Sequence, residues 1–201
     1  MDKCIEITHS KYQTKEWRKA QKWYINGKKN ECEIYQKNIL RTAIPVDINT
    51  TRDRLNLFTY EISNINKLTS QINGYEWSET FDGKLIINNI IHYFNLKFVC
   101  DAGGAQTRTL RECYHFINGQ LIYETQNKKS KKECYYINLF DGNECYKNLK
   151  KFKHLLSKKE FTDVKKYFYV GCSFDFVDSK IYKNILKNTS QEDAEQCDKR
   201  D

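Results

Sequence analysis

Between residues 11 and 41 the apolar side chains Trp17, Trp23, Tyr24, Ile34 and Tyr35 recur among lysines and arginines, which predicts a basic helical segment packed against the body of the protein. Pro45 is expected to end that region. Leu55, Phe58, Ile62, Ile65 and Leu68 then fall at helical spacing, predicting a second helix over about Thr51 to Ile72 that Gly74 stops. From Tyr75 the period becomes that of strands. Tyr75 to Gly83 reads as strand then turn, and Lys84 to Ile91 and Tyr93 to Asp101 read as two more strands of a β-meander. After Gly103-Gly104, the residues Leu110, Cys113, Tyr114, Ile117 and Leu121 share one helical face, which extends to about Tyr123. A basic loop at Lys128 to Lys132 leads into a buried strand from Glu133 that turns at Asp141-Gly142. Tyr146 to Leu156 reads as a helix and Tyr167 to Cys172 as a final buried strand. The last helix is expected to give way to a disordered acidic tail, Gln191 to Asp201.

This order predicts an α/β protein with a central mixed β-sheet flanked by helices and preceded by an N-terminal helical region. A length of 201 residues with 39% hydrophobic content is enough for one core with an appendage and too little for two full domains. The expected division is a basic helical region over 1–73, an α/β core over 74–190 and the tail over 191–201.

Charge narrows the class of partner. The net charge is +8, and the excess is gathered in patches: Lys11 to Arg41 holds nine Lys/Arg against three Glu, and Lys147 to Lys166 holds eight Lys against two acids. Such patches suit polyanions, the plain alternative being solvated helix faces. The chain has eight cysteines, without a Cys-x-x-Cys pair or a leading apolar segment. They are therefore expected to be buried thiols in an intracellular, reducing compartment rather than disulfides or a zinc knuckle. The most apolar stretch, Leu85 to Val99, is broken by Asn88, Asn89, His92, Asn95 and Lys97, so no membrane span is expected.

Candidate chemistry centres on residues 82–112. Hydrolysis of a phosphodiester needs carboxylates to hold a divalent cation and a fixed positive charge to offset charge developing on phosphate. Asp82 at a strand end, Lys97 fifteen residues later and Glu112 a further fifteen on can supply both. Two protein carboxylates, Asp82 and Glu112, suffice for Mg²⁺, because phosphate and water complete its octahedron. Lys97 would stabilise the transition state or orient the attacking water. It also interrupts an apolar strand, where an unpaired charge is costly, so a nearby acid or anion is expected. Gly103-Gly104 followed by Gln106, Thr107, Arg108 and Arg111 reads as a backbone cradle with side chains for nucleic acid.

The order of strand with Asp, strand with x-x-Lys, helix, strand, helix, strand resembles the PD-(D/E)-x-K nuclease superfamily of type II restriction endonucleases over about residues 75–172. Asp82 matches the first acid, Asn95-Leu96-Lys97 the (D/E)-x-K element, and Tyr135 to Gly142 the buried strand and turn after the central helix. Asn95 stands where an acid is usual. Some members of the superfamily carry that acid on the following helix, the place Glu112 holds. The resemblance implies a restriction-endonuclease-like fold and a Mg²⁺-dependent endonuclease acting on double-stranded DNA as a homodimer, with Asp82, Lys97 and Glu112 catalytic.

Each residue also has a plainer reading. Thr109-Leu-Arg-Glu112 fits a capping box at a helix start. Asp82-Gly83 fits a type I′ turn, with Glu79 or Asp101 as replacement carboxylates. His92 and His115 read as structural. A non-catalytic nucleic-acid-binding protein that has lost the metal site is the alternative function, motivated by Asn95.

Overall fold

The computed structural model describes residues 7–27, 32–44, 47–64, 77–127 and 133–197, with main chain alone over 191–197. The N-terminal basic region is helical as expected. After a 3-10 turn at Ser10–Tyr12 come α1 (Lys15–Ala20), α2 (Lys22–Ile25) and α3 (Cys32–Ala43). Thr14 starts α1 by accepting a hydrogen bond from the Trp17 amide at 3.2 Å. Pro45 lies outside the described residues.

The helix expected over Thr51 to Ile72 does not form. Its described part is a hairpin of β1 (Asp53–Asn56) and β2 (Ile62–Asn64), and β3 (Ser78–Thr80) pairs antiparallel on the other edge of β1. Leu55 and Leu57 are buried while Phe58 is exposed, a two-residue alternation that five apolar residues at near-helical spacing concealed. The turn fixes the outcome locally: Asn56 Oδ1 accepts from the amides of Phe58 and Thr59, and Tyr60 takes a positive φ of 55°. Ile65, Leu68 and Gly74 lie outside the described residues. Because β1 pairs with β3, this small sheet spans the expected boundary between 1–73 and 74–190.

The main sheet is mixed, in the order β4 (Gly83–Ile87), β5 (Ile90–Phe98), β6 (Cys134–Asp141), β7 (Phe168–Gly171). β4 and β5 are antiparallel; β6 and β7 continue in parallel. The β4–β5 turn is Asn88-Asn89, with φ of 50° and 62°, values suited to a type I′ turn. Asp82-Gly83 is thus not a hairpin turn but the step from the small sheet into the main one. The crossovers are α4 (Gly104–Gln126) and α5 (Asn143–Ser157), and α6 (Ser173–Phe176) and α7 (Lys180–Cys197) complete the chain. α7 continues to Cys197, into the segment expected to be disordered.

Register sorts the core into two layers. Tyr93, Asn95 and Lys97 pair with Tyr136, Asn138 and Phe140, so these residues share one face of the sheet, the one covered by α4 and α5. Phe94 and Leu96, with Leu85, Ile87, Ile137 and Leu139, pack on the other face against Leu40 and Ile44 after α3 and against Phe176, Ile181 and Ile185. β1 rests on α4, where a Cβ at Gly119 would come within 2.8 Å of Leu57 and 3.0 Å of Leu55. The six described cysteines are free and buried, as expected. Among the described residues no helix is long and apolar enough to cross a membrane.

Candidate active site

Strand alternation puts Lys97 on the α4 face at the carboxyl end of β5, where a cavity of about 280 Å³ opens beside the helix. Its walls include Lys97 and Asn95 from β5, Glu79 from β3, Glu112, Cys113 and Thr109 from α4, and Glu33 from α3. Four elements therefore deliver one ammonium and three carboxyl groups to a single space. Glu33 comes because Gln36, one turn on, anchors α3 across the strand ends: its amide donates to the Lys97 carbonyl at 3.1 Å and to Asp141 Oδ2 at 2.8 Å.

Asp82, the residue before β4, is not in the wall of this cavity: it lines a separate depression with Lys37, Arg41 and Leu96, although its charge still acts on Lys97. Its Oδ2 accepts from the Leu96 amide at 2.7 Å, fixing one oxygen next to Lys97 and leaving Oδ1 free of that bond. Burial pulls the Lys97 ammonium down, but the negative groups around it, Asp82 foremost, hold it above the ordinary lysine value. At Glu79 burial dominates and raises the carboxyl above its ordinary range. Lys97 opposes that rise, while Glu112 and Asp82 reinforce it. The buried Cys113 thiol, pushed up to about 12 by desolvation, stays protonated and is no nucleophile at neutral pH.

α4 begins at Gly104, earlier than a capping box would place it. Thr109 is inside the helix, its hydroxyl donating to the Ala105 carbonyl at 3.2 Å, so the Thr109–Glu112 box does not exist. Glu112 stands in the third turn rather than the first and is free of a capping role. Gln106, Thr107 and Arg108 likewise belong to the helix rather than to a turn before it. Arg108 is exposed, while Thr107 and Arg111 line a second depression between α4 and α5, away from the cavity. Asp101 is not part of the site: it pairs with Lys15 at 2.8 Å, which holds its carboxyl below the ordinary range.

Asn95 is a strut. Its amide donates to Asn138 Oδ1 at 2.9 Å, and Asn138 exchanges hydrogen bonds with Gln120 of α4 at 3.0 and 3.3 Å. This buried trio ties α4 to β5 and β6. The two histidines differ in setting. His92 is buried against Tyr135, its pKa lowered to about 4 by desolvation, and His115 makes an edge contact with Trp77.

Sequence reasoning brought Lys97 and Glu112 to one site and kept Glu79 in reserve. It missed Glu33, whose only local signal is its place on the helix one turn before the buried Gln36. Among the described residues, His9, Cys172 and Asp175 are the one set of three ligand-type side chains with atoms within 4.8 Å of one another, so the acids around Lys97 do not form such a set. The oxygen-rich donors there are nevertheless of the kind a hard divalent cation takes. No family model, curated protein or solved structure matches the chain. What the fold defines is an α/β protein with a mixed four-stranded sheet and a small antiparallel sheet beside it.

Proposed function

We propose that the protein is a Mg²⁺-dependent endonuclease that hydrolyses phosphodiester bonds of double-stranded DNA. The observation that carries the reading is Lys97: a half-buried ammonium in an apolar strand, lying in the field of Asp82, Glu79 and Glu33, with Glu112 across the same cavity. A structural lysine needs one acid. A group that must meet both a cation and a phosphate is expected among several.

The sequence of β4, β5, α4, β6, α5 and β7 supports treating the core as restriction-endonuclease-like. On this reading Asp82 and Glu112 would hold the cation, which would supply charge neutralisation at the scissile phosphate. Lys97 offsets negative charge building on the non-bridging oxygens. Water's oxygen would bond to phosphorus as the bond to the leaving oxygen breaks, with Glu79, its proton affinity raised by burial, taking the water proton and a solvent water protonating the leaving alkoxide. A homodimer cuts both strands.

The test is plasmid cleavage with Mg²⁺ by wild type, Lys97→Ala and Glu112→Ala. Wild type should nick and linearise, and each variant should lose at least about a hundredfold in rate, as is usual for a transition-state contact. Cutting that survives both substitutions overturns the assignment. A second reading is favoured by Asn95, which offers an amide tied to Asn138 in place of an acid: a nucleic-acid-binding protein without catalysis. Salt-sensitive DNA binding with no Mg²⁺-dependent cleavage in wild type would select it.

A further inference from the structure

α4 has a second working flank. Arg111 and Tyr114 turn away from the cavity that Glu112 and Cys113 line, and with α5 they enclose a groove of about 800 Å³. Its floor is aromatic: Tyr114 is half-buried and Phe152 buried, with ring centroids 6.4 Å apart. Its rim is cationic, formed by Arg111, Lys150 and Lys151, all exposed and none with an ion-pair partner among the described residues. The one acid in the groove, Glu144, is already engaged, by Lys147 at 3.2 Å and by the Asn148 side chain. Three uncompensated positive charges around an apolar aromatic floor call for a ligand with a flat ring and an anionic tail.

We infer that this groove binds a nucleotide of a single-stranded segment, with its base on Tyr114 and its phosphates on Arg111 and Lys151. The floor selects an unpaired base, because a base stacked and paired in a duplex presents only its edges in the grooves. Volume agrees, since the groove is of the size that encloses a small organic ligand. The inference rests on the nuclease reading for its purpose. Arg108, Arg111 and His115 form an exposed ridge between cavity and groove. A strand crossing this ridge spans one helix, about 10 Å, which is about three nucleotides at the 3.4 Å rise of duplex DNA and fewer for an extended single strand. On a duplex substrate a few nucleotides beside the bond that is cut would therefore have to be unpaired when bound.

The experiment is fluorescence anisotropy of a labelled oligothymidylate with the full-length protein in EDTA. Wild type is compared with Arg111→Glu/Lys151→Glu and with Lys183→Glu/Lys187→Glu, an equal change of charge on exposed positions of α7. The groove pair should weaken binding at least tenfold and the α7 pair less than threefold. An oligothymidylate carrying one 2-aminopurine should be quenched by wild type and recover its emission with Tyr114→Leu. Equal losses from the two charge pairs, undiminished quenching with Tyr114→Leu, or displacement of the oligonucleotide by polyglutamate as readily as by unlabelled oligothymidylate would each overturn the inference. Because EDTA removes the metal, a protein that never cuts DNA can pass this test and a nuclease can fail it, so the two proposals stand or fall separately.

Discussion

Glu79 is held above the ordinary carboxylate range because burial outweighs the attraction of Lys97, with Glu112 and Asp82 repelling its charge. The folded chain thus binds this proton more tightly than the unfolded chain does. Stability from this group is present below the ordinary value of 4.5 and is lost as pH rises through the raised one. Glu79→Gln should therefore raise the urea midpoint at pH 8 while leaving it near wild type at pH 4, and should abolish any Mg²⁺-dependent cleavage. An unchanged midpoint at pH 8 would show that the carboxyl is relaxed. His92 works in the opposite direction. Its folded value of about 4 lies below the ordinary 6.5, so it contributes stability above 6.5 that is lost as pH falls toward 4. Unfolding free energy should fall by up to about 1.4 kcal/mol per pH unit across that window from this one group. In His92→Phe, which can keep the stack on Tyr135, that part of the slope should vanish.

Two elements are placed by features only a few residues long. Gly142 joins β6 to α5 with φ of 89°, and a Cβ there would overlap the Val99 carbonyl. Gly142→Ala should cost at least about 2 kcal/mol by denaturant titration, because no L side chain relieves either the dihedral or the overlap. Thr109 gives a contrasting case. In a capping box Thr109→Ala would cost about 1 kcal/mol. As an interior helical residue its replacement should be neutral or stabilising by a few tenths of a kcal/mol, alanine being the better helix former. A clear loss of stability would return Thr109 to the helix start and Glu112 to a capping role. The strands β1 and β2 teach the same lesson, since apolar spacing in Leu55, Phe58 and Ile62 suits a helix while the Asn56 side chain holds a turn.

The layers of the whole molecule meet at Asp141, fully buried at the end of β6. Ser10 donates to Oδ1 at 2.7 Å and Gln36 to Oδ2 at 2.8 Å, while Ser173 gives its amide at 3.1 Å and its hydroxyl at 2.5 Å. The N-terminal segment, α3 and α6 are thereby tied to the sheet through one carboxylate. Asp141→Ala strands three polar partners and should cost about 3 kcal/mol or more. Amide exchange should accelerate in residues 8–14 and in α3 ahead of β5. Since Gln36 sets where Glu33 enters the cavity, the same variant should impair cleavage without touching Lys97.

Much of the main sheet was legible in the sequence because its strands are short apolar runs between strong turn residues, and α4 and α5 because their apolar faces repeat at helical period. Lys97 was legible for a related reason: a charge inside an apolar strand needs a partner wherever the chain goes. The small sheet, the start of α4, the engagement of Asn95 with Asn138 and Gln120, and the arrival of Glu33 beside Lys97 were not. Each depends on which residues distant in the chain come to lie side by side, as with Asn95 and Asn138, 43 positions apart. Local pattern fixes period and burial. It carries no information about the neighbour across a sheet or cavity, and the charge of a site is the sum of those neighbours.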